Sequence, residues 1–199
     1  MTVFTEVASG LESREGPIAL ADGTSWSSNF SDIVSVACFQ TARSKGWPRF
    51  RASQWAAIGP DGAVYVCNNG GWLQLVEVNG VRTMGPPDWS AYIGGRTQRI
   101  DLDRGTVTDL YTECDGRPLR ARNDLVMDGH GGFWFTDTGI RDRSTRTADI
   151  TGIYYAHTDG SAIREVVFPS EQPKGSACLP TVQRCIGSKR GAAASSAAP

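Results

Sequence analysis

The sequence predicts an all-β chain, an incomplete β-propeller. Three observations carry that prediction: an internal strand-turn-strand repeat, hairpin signals between its copies, and frequent turns. Gly is 23 and Pro 10 in 199 residues, and Asp-Gly and Asn-Gly pairs recur. Such pairs, flanked by apolar or β-branched runs, mark tight antiparallel turns.

Taken in chain order, the first and faintest copy is Pro17-Ile18-Ala19-Leu20-Ala21-Asp22-Gly23. From 26 to 55 the pattern lapses. Ser27-Ser28-Asn29-Phe30-Ser31-Asp32 and Val34-Ser35-Val36-Ala37-Cys38 are divided by no Asp-Gly or Asn-Gly turn, and we read this stretch as irregular and out of frame. The second copy runs from Ala56 through Asp61-Gly62 to Asn68, and the third from Asp124 through the Gly-rich turn at Asp128-Gly129-His130-Gly131 to Thr136. Each pairs a short apolar strand with one rich in β-branched or aromatic residues, which suits antiparallel partners buried on both faces.

Hairpins are predicted at Asn79-Gly80, at Asp103-Arg104-Gly105 and at Thr158-Asp159-Gly160. An inner pair followed by an outer hairpin makes four antiparallel strands, which is a propeller blade. At roughly 40 to 50 residues per blade, the chain holds about four blades or fewer, against the about four to eight that close a ring. Residues 1–175 are therefore expected to form an incomplete propeller, and 176–199, ending in Ala192-Ala193-Ala194-Ser195-Ser196-Ala197-Ala198-Pro199, an irregular or disordered tail. Open blade edges lead us to expect self-association, with Val166, Val167 and Phe168 on exposed faces.

Charge and length narrow the function. Lys plus Arg is 20 against 21 for Asp plus Glu, a formal charge of -1, so no sequence-independent attraction to nucleic acid or an anionic membrane is expected. No apolar run reaches the ~18 residues of a membrane span, and the first residues lack the basic and apolar regions of a signal peptide. A cytoplasmic protein is the expectation. The five cysteines form neither a paired framework nor a Cys-x-x-Cys metal site, so they read as reduced, structural thiols.

In a propeller the inner strands line a central channel, so equivalent positions converge. Glu15, Gln54 and Asn123 each stand seven residues before an inner turn residue, Asp22, Asp61 and His130, and each bears side-chain oxygen. Oxygen donors converging from separate blades suit a hard cation, while polar groups facing a watery channel are the plain alternative. For Gln54 the plain alternative is the better reading. His130 and His157 stand at turns and read as solvated, and no Gly-x-Ser-x-Gly elbow is present.

Glu15-Gly16-Pro17, Ile58-Gly59-Pro60-Asp61-Gly62, and above all Arg120-Ala121-Arg122-Asn123-Asp124-Leu125 with Gly131-Gly132-Phe133-Trp134-Phe135-Thr136-Asp137, resemble the senescence-marker-protein, gluconolactonase and luciferin-regenerating-enzyme family. The resemblance implies a six-bladed propeller that hydrolyses a small-molecule lactone, such as a sugar lactone, with one divalent cation: Ca²⁺, Mg²⁺, Mn²⁺ or Zn²⁺. It implies metal ligands at Glu15 and Asn123. The family's third ligand, an Asn, falls at Lys174, whose ammonium has no lone pair to offer. The fourth, an Asp that also acts as base, would lie beyond Pro199, so no catalytic residue is assigned within the chain. A substrate-binding Arg of the family falls at Ala121, leaving Arg120 and Arg122 beside it as the candidates. The mechanism so implied is metal-assisted ester hydrolysis. The alternative is a non-catalytic propeller remnant that lacks two of the four ligands.

Overall fold

A computed structural model of the protein describes residues 14–19, 25–29, 53–72, 75–142, 145–178, 184–189 and 192–197. Strand β1 (Arg14–Ala19) pairs antiparallel with β2 (Ser25–Asn29). Next come β3 (Ser53–Ile58) and β4 (Val64–Asn68), a separate hairpin of β5 (Leu75–Val78) and β6 (Val81–Met84), then β7 (Arg96–Asp101) and β8 (Thr106–Tyr111). The short pair β9 (Glu113–Cys114) and β10 (Arg117–Pro118) leads to β11 (Arg122–Met127) and β12 (Gly132–Asp137). After the small hairpin of β13 (Arg141–Asp142) and β14 (Thr147–Ala148) come β15 (Thr151–His157), β16 (Ile163–Ser170), β17 (Pro173–Cys178), β18 (Arg184–Lys189) and β19 (Ala192–Ala197).

Two sheets have four strands in sequence order, β3-β4-β7-β8 and β11-β12-β15-β16, with every pairing antiparallel. They are the blades that the repeat predicts. β1-β2 flanks them on one side and β17-β18-β19 on the other. The first strands of the four sheets, β1, β3, β11 and β17, lie side by side in that order. This is the all-β propeller arrangement.

The turns form where the sequence places them. Asn79 (φ 53°) and Gly80 (φ 75°) both have positive φ, which makes the β5-β6 connection a two-residue turn of the kind that matches strand twist. That hairpin, however, stands outside the four-stranded sheet as an insertion between β4 and β7, and β13-β14 is a similar insertion between β12 and β15.

Both faces of the β11-β12-β15-β16 sheet are covered, and its residues alternate accordingly. Phe133 and Phe135 of β12 point towards the preceding sheet, where Tyr65, Cys67 and Tyr111 meet them. Ring centroids lie 5.8 Å apart for Tyr65 and Phe133, and 5.0 Å apart for the stacked Phe135 and Tyr154. Trp134, between those phenylalanines, faces the other way onto Ile153 and Tyr155. All six residues of β12 are buried, as expected of a strand between covered faces.

Val166 and Val167, expected from the sequence to be exposed, are half-buried against the Trp134 cluster, so β12 and β15 cover them; Phe168 remains 52% exposed. The stretch 176–199, for which the sequence predicts an irregular tail, carries β18 and β19 in its backbone. There β17 pairs antiparallel with β18, and β18 with β19. The segment 30–52 lies outside the described residues, as do the side chains of β1 and β2.

Candidate functional site

Each innermost strand breaks its pairing at the same place. The register with the second strand shifts between Glu15 and Ile18 in β1, between Ser53 and Trp55 in β3, between Arg122 and Leu125 in β11, and between Lys174 and Ser176 in β17. The residues left out of register are Gly16 and Pro17 in β1, Gln54 in β3, Asn123 and Asp124 in β11, and Gly175 in β17; Glu15 and Lys174 stand in register immediately before the shift. A β-bulge leaves one residue out of the ladder and re-aims its side chain, which is how a strand turns a ligand towards an axis.

Asn123 is 8% exposed. Asp124 follows it and ties two sheets together: its Oδ2 accepts the Ser176 N–H from β17 in a short hydrogen bond, and its Oδ1 accepts the Leu125 N–H at 2.9 Å. Burial raises the Asp124 carboxyl above its ordinary value despite those donors. Sequence reasoning missed this bridge, because only the alignment of two bulges in space creates it.

The backbone leading into Asn123 is fixed by Asp137, which stands opposite Arg122 at the end of β12. The Asp137 carboxylate, 1% exposed, accepts N–H groups from Arg120 at 2.6 Å, from Ala121 at 2.8 Å and from Gly139 at 2.8 Å. Thr138 adds two hydrogen bonds to the Ala121 carbonyl. A carboxyl group that accepts three backbone N–H groups locks the chain it holds. The Thr136-Asp137 pair after an aromatic strand was its signal in the sequence.

The two candidate arginines differ. Arg120 is partly exposed; its Nε donates to Asp149 Oδ2 at 2.9 Å, and that hydrogen bond raises its pKa. The Tyr92 hydroxyl donates to the Arg120 carbonyl at 2.8 Å, and the guanidinium lies 5.8 Å from the Tyr92 ring. Gly95 packs so tightly here that a Cβ would stand 2.6 Å from the Arg120 carbonyl oxygen. Arg122, by contrast, is 0% exposed, with its guanidinium 4.0 Å above the Phe135 ring and one donor reaching the Tyr111 carbonyl at 3.4 Å. Burial lowers its pKa to about 10, and its Nε and Nη1 have no hydrogen-bond partner. It lies within the packing between two sheets.

Sequence profiles decide what these motifs belong to: that of the SMP-30/Gluconolactonase/LRE-like region matches residues 18–180. The chain belongs to this family. Among curated protein sequences none matches significantly. Of solved structures, the SMP-30/gluconolactonase-family chain is similar to the gluconolactonase of Xanthomonas campestris at 21% identity, with a TM-score of 0.59 over 90% of this chain and 55% of that one. It is also similar to a structural-genomics target provisionally named a gluconolactonase, at 15% identity and a TM-score of 0.59, over 98% of this chain and 66% of that one. At these identities the likeness shows the fold, and the chain spans less than two thirds of either structure.

The donor set can be tested against the cation that the family resemblance implies. Asn123 brings oxygen to the β11 bulge and Glu15 to the position just before the β1 register shift, as a hard cation requires, and Lys174, just before the β17 shift, does not. Among the described residues no group of three or more His, Cys, Asp or Glu gathers as a metal cluster. His130 and His157 are exposed at their turns.

Proposed function

We propose that the chain carries part of the site of a metal-dependent lactone hydrolase, with Glu15 and Asn123 as ligands for one divalent cation. The observation that supports this reading is a register shift in each of the four innermost strands, at Asn123 in β11 and directly after Glu15 in β1, in a family whose name includes gluconolactonase. A bound divalent cation supplies Lewis-acid polarisation of a lactone carbonyl and a lowered pKa for water. What this chain's residues do is orient. Asp137 fixes the backbone entering Asn123, and Asp124 fixes the neighbouring bulge on β17. Arg120, at the same end of the strands, is the candidate to meet a polar group of the lactone.

Lys174 favours a second reading, a non-catalytic propeller, because an ammonium next to the fourth register shift repels a cation that oxygen donors at the other positions attract. Titrating the acid released from δ-gluconolactone with Ca²⁺, Mn²⁺ or Zn²⁺ present separates the two. Turnover that disappears in both Glu15→Gln and Asn123→Ala supports the hydrolase. Folded protein with no turnover of any lactone under any cation supports the second reading. Self-association through open blade edges remains our proposal for the ends of the array.

A further inference from the structure

Arg122, which the motif offers as a candidate to meet substrate, is enclosed between two sheets, and the strand registers fix the groups around it. In the β3-β4-β7-β8 sheet, Cys67, Thr97 and Tyr111 stand directly opposite one another on β4, β7 and β8. Residues opposite one another on antiparallel strands share a face, and Cys67 and Tyr111 belong to the layer packed with Phe133 and Phe135. Thr97, 0% exposed, therefore stands in that layer between them. Arg122 enters the same layer from β11: its guanidinium lies over the Phe135 ring, one donor reaches the Tyr111 carbonyl, and Cys67 is close enough to act on its charge. Three buried polar atoms here, Arg122 Nε and Nη1 and Thr97 Oγ1, have no hydrogen-bond partner among the described residues. No carboxylate among the described residues forms an ion pair with Arg122. Asp137, opposite it in register, takes the N–H groups of Arg120, Ala121 and Gly139 instead.

We propose that a monatomic anion of the halide class is held between these two blades by the Arg122 guanidinium and the Thr97 hydroxyl. Burying a full charge without a counter-charge is costly, and a guanidinium stays protonated. It has donors alone, so its complement must accept. The Thr97 hydroxyl can turn to donate to whatever the guanidinium attracts. Water also accepts, but it brings two hydrogens that need acceptors of their own and leaves the charge uncompensated, in a layer built mainly of aromatic rings and thiols. A halide accepts from both groups and requires no acceptor in return. Bound there, it ties β11, at the residue before Asn123, to the preceding sheet. The assignment stands apart from the lactone reading, since none of these atoms is exposed to a substrate.

The test refolds and melts the full chain in sodium bromide and in sodium gluconate at equal ionic strength, so that screening is the same in both, and measures crystals grown in bromide at the bromine absorption edge. The expected result is a saturable rise in melting temperature with bromide, and an anomalous peak in contact with both Arg122 and Thr97. Thr97→Val keeps the shape of the side chain and removes its hydroxyl, and it should weaken bromide at least about fivefold. Arg122→Met should abolish the bromide-dependent rise. If Arg122→Met does not fold, Thr97→Val and the wild-type peak decide. Equal melting in the two salts overturns the proposal, as does an ordered water without anomalous signal beside Arg122. Bromide found against surface residues alone, an adventitious ion only, also overturns it.

Discussion

Asp137 and Ala121 are joined by a 2.8 Å hydrogen bond from backbone N–H to buried carboxylate, two residues before Asn123. With the Arg120 and Gly139 N–H groups on the same carboxylate, one side chain sets the path of the chain into the candidate site. Asp137→Ala leaves three N–H groups without that acceptor, and the expected loss is about 3 kcal/mol or more of unfolding free energy. Chemical denaturation measures it, and hydrogen exchange should show the Arg120, Ala121 and Gly139 amides losing protection first.

Asp128 carries an acid-dependent part of the stability. Burial pushes its carboxyl up, but the His130 and Gly132 N–H groups, at 2.6 and 3.0 Å, and the Tyr155 hydroxyl, at 2.8 Å, outweigh burial and hold it below the ordinary 3.8. A folded-state pKa below the unfolded value gives stability that is present above the unfolded value and lost as pH falls through the folded one. Melting temperature should therefore fall with acidification below about pH 4, and less steeply in Asp128→Asn. Tyr155→Phe should cost about 1 kcal/mol at neutral pH once solvent screening is allowed for. Asp124 acts in the opposite sense. Its raised carboxyl gives stability that is present below the unfolded value and lost as pH rises through the folded one.

Cys67 and Cys114 should resist alkylation in the native protein. They are 0% and 2% exposed, and burial raises both thiols above their ordinary value. Thiolate is the reactive form, so iodoacetamide followed by peptide mass spectrometry should label neither position before unfolding.

Much of the architecture was legible because its signals are local. The Asn79-Gly80, Asp103-Gly105 and Thr158-Gly160 turns, and the two-sided burial implied by Phe133-Trp134-Phe135, are set by residues adjacent in sequence. The site was legible only in part. Spacing placed Glu15, Gln54 and Asn123 at equivalent positions; Gln54 and Asn123 fall in register shifts and Glu15 directly before one. Asp124 meeting Ser176 and Tyr92 meeting Arg120 join residues 52 and 28 positions apart, and no periodicity carries such pairings. Arg122, two residues after Arg120 in the motif, is the first residue of β11 and enters the packing over Phe135, whereas Arg120 lies before the strand and reaches Asp149.

Lys174→Asn should strengthen cation binding. Lys174 stands directly before the register shift of β17, as the family resemblance places the third ligand there, and the substitution removes a positive charge while adding an oxygen donor. The expected gain in Ca²⁺ affinity is about tenfold, and a rise in melting temperature with added Ca²⁺ that is larger in the variant than in the wild type would show it.

Calorimetric titration of the wild-type chain with Ca²⁺, repeated on Glu15→Gln and Asn123→Ala, tests the convergence of the innermost strands most directly. The account predicts one cation per chain and a loss of affinity of about tenfold or more in each variant. Binding that neither substitution weakens, or no binding by a chain that melts cooperatively, would contradict it.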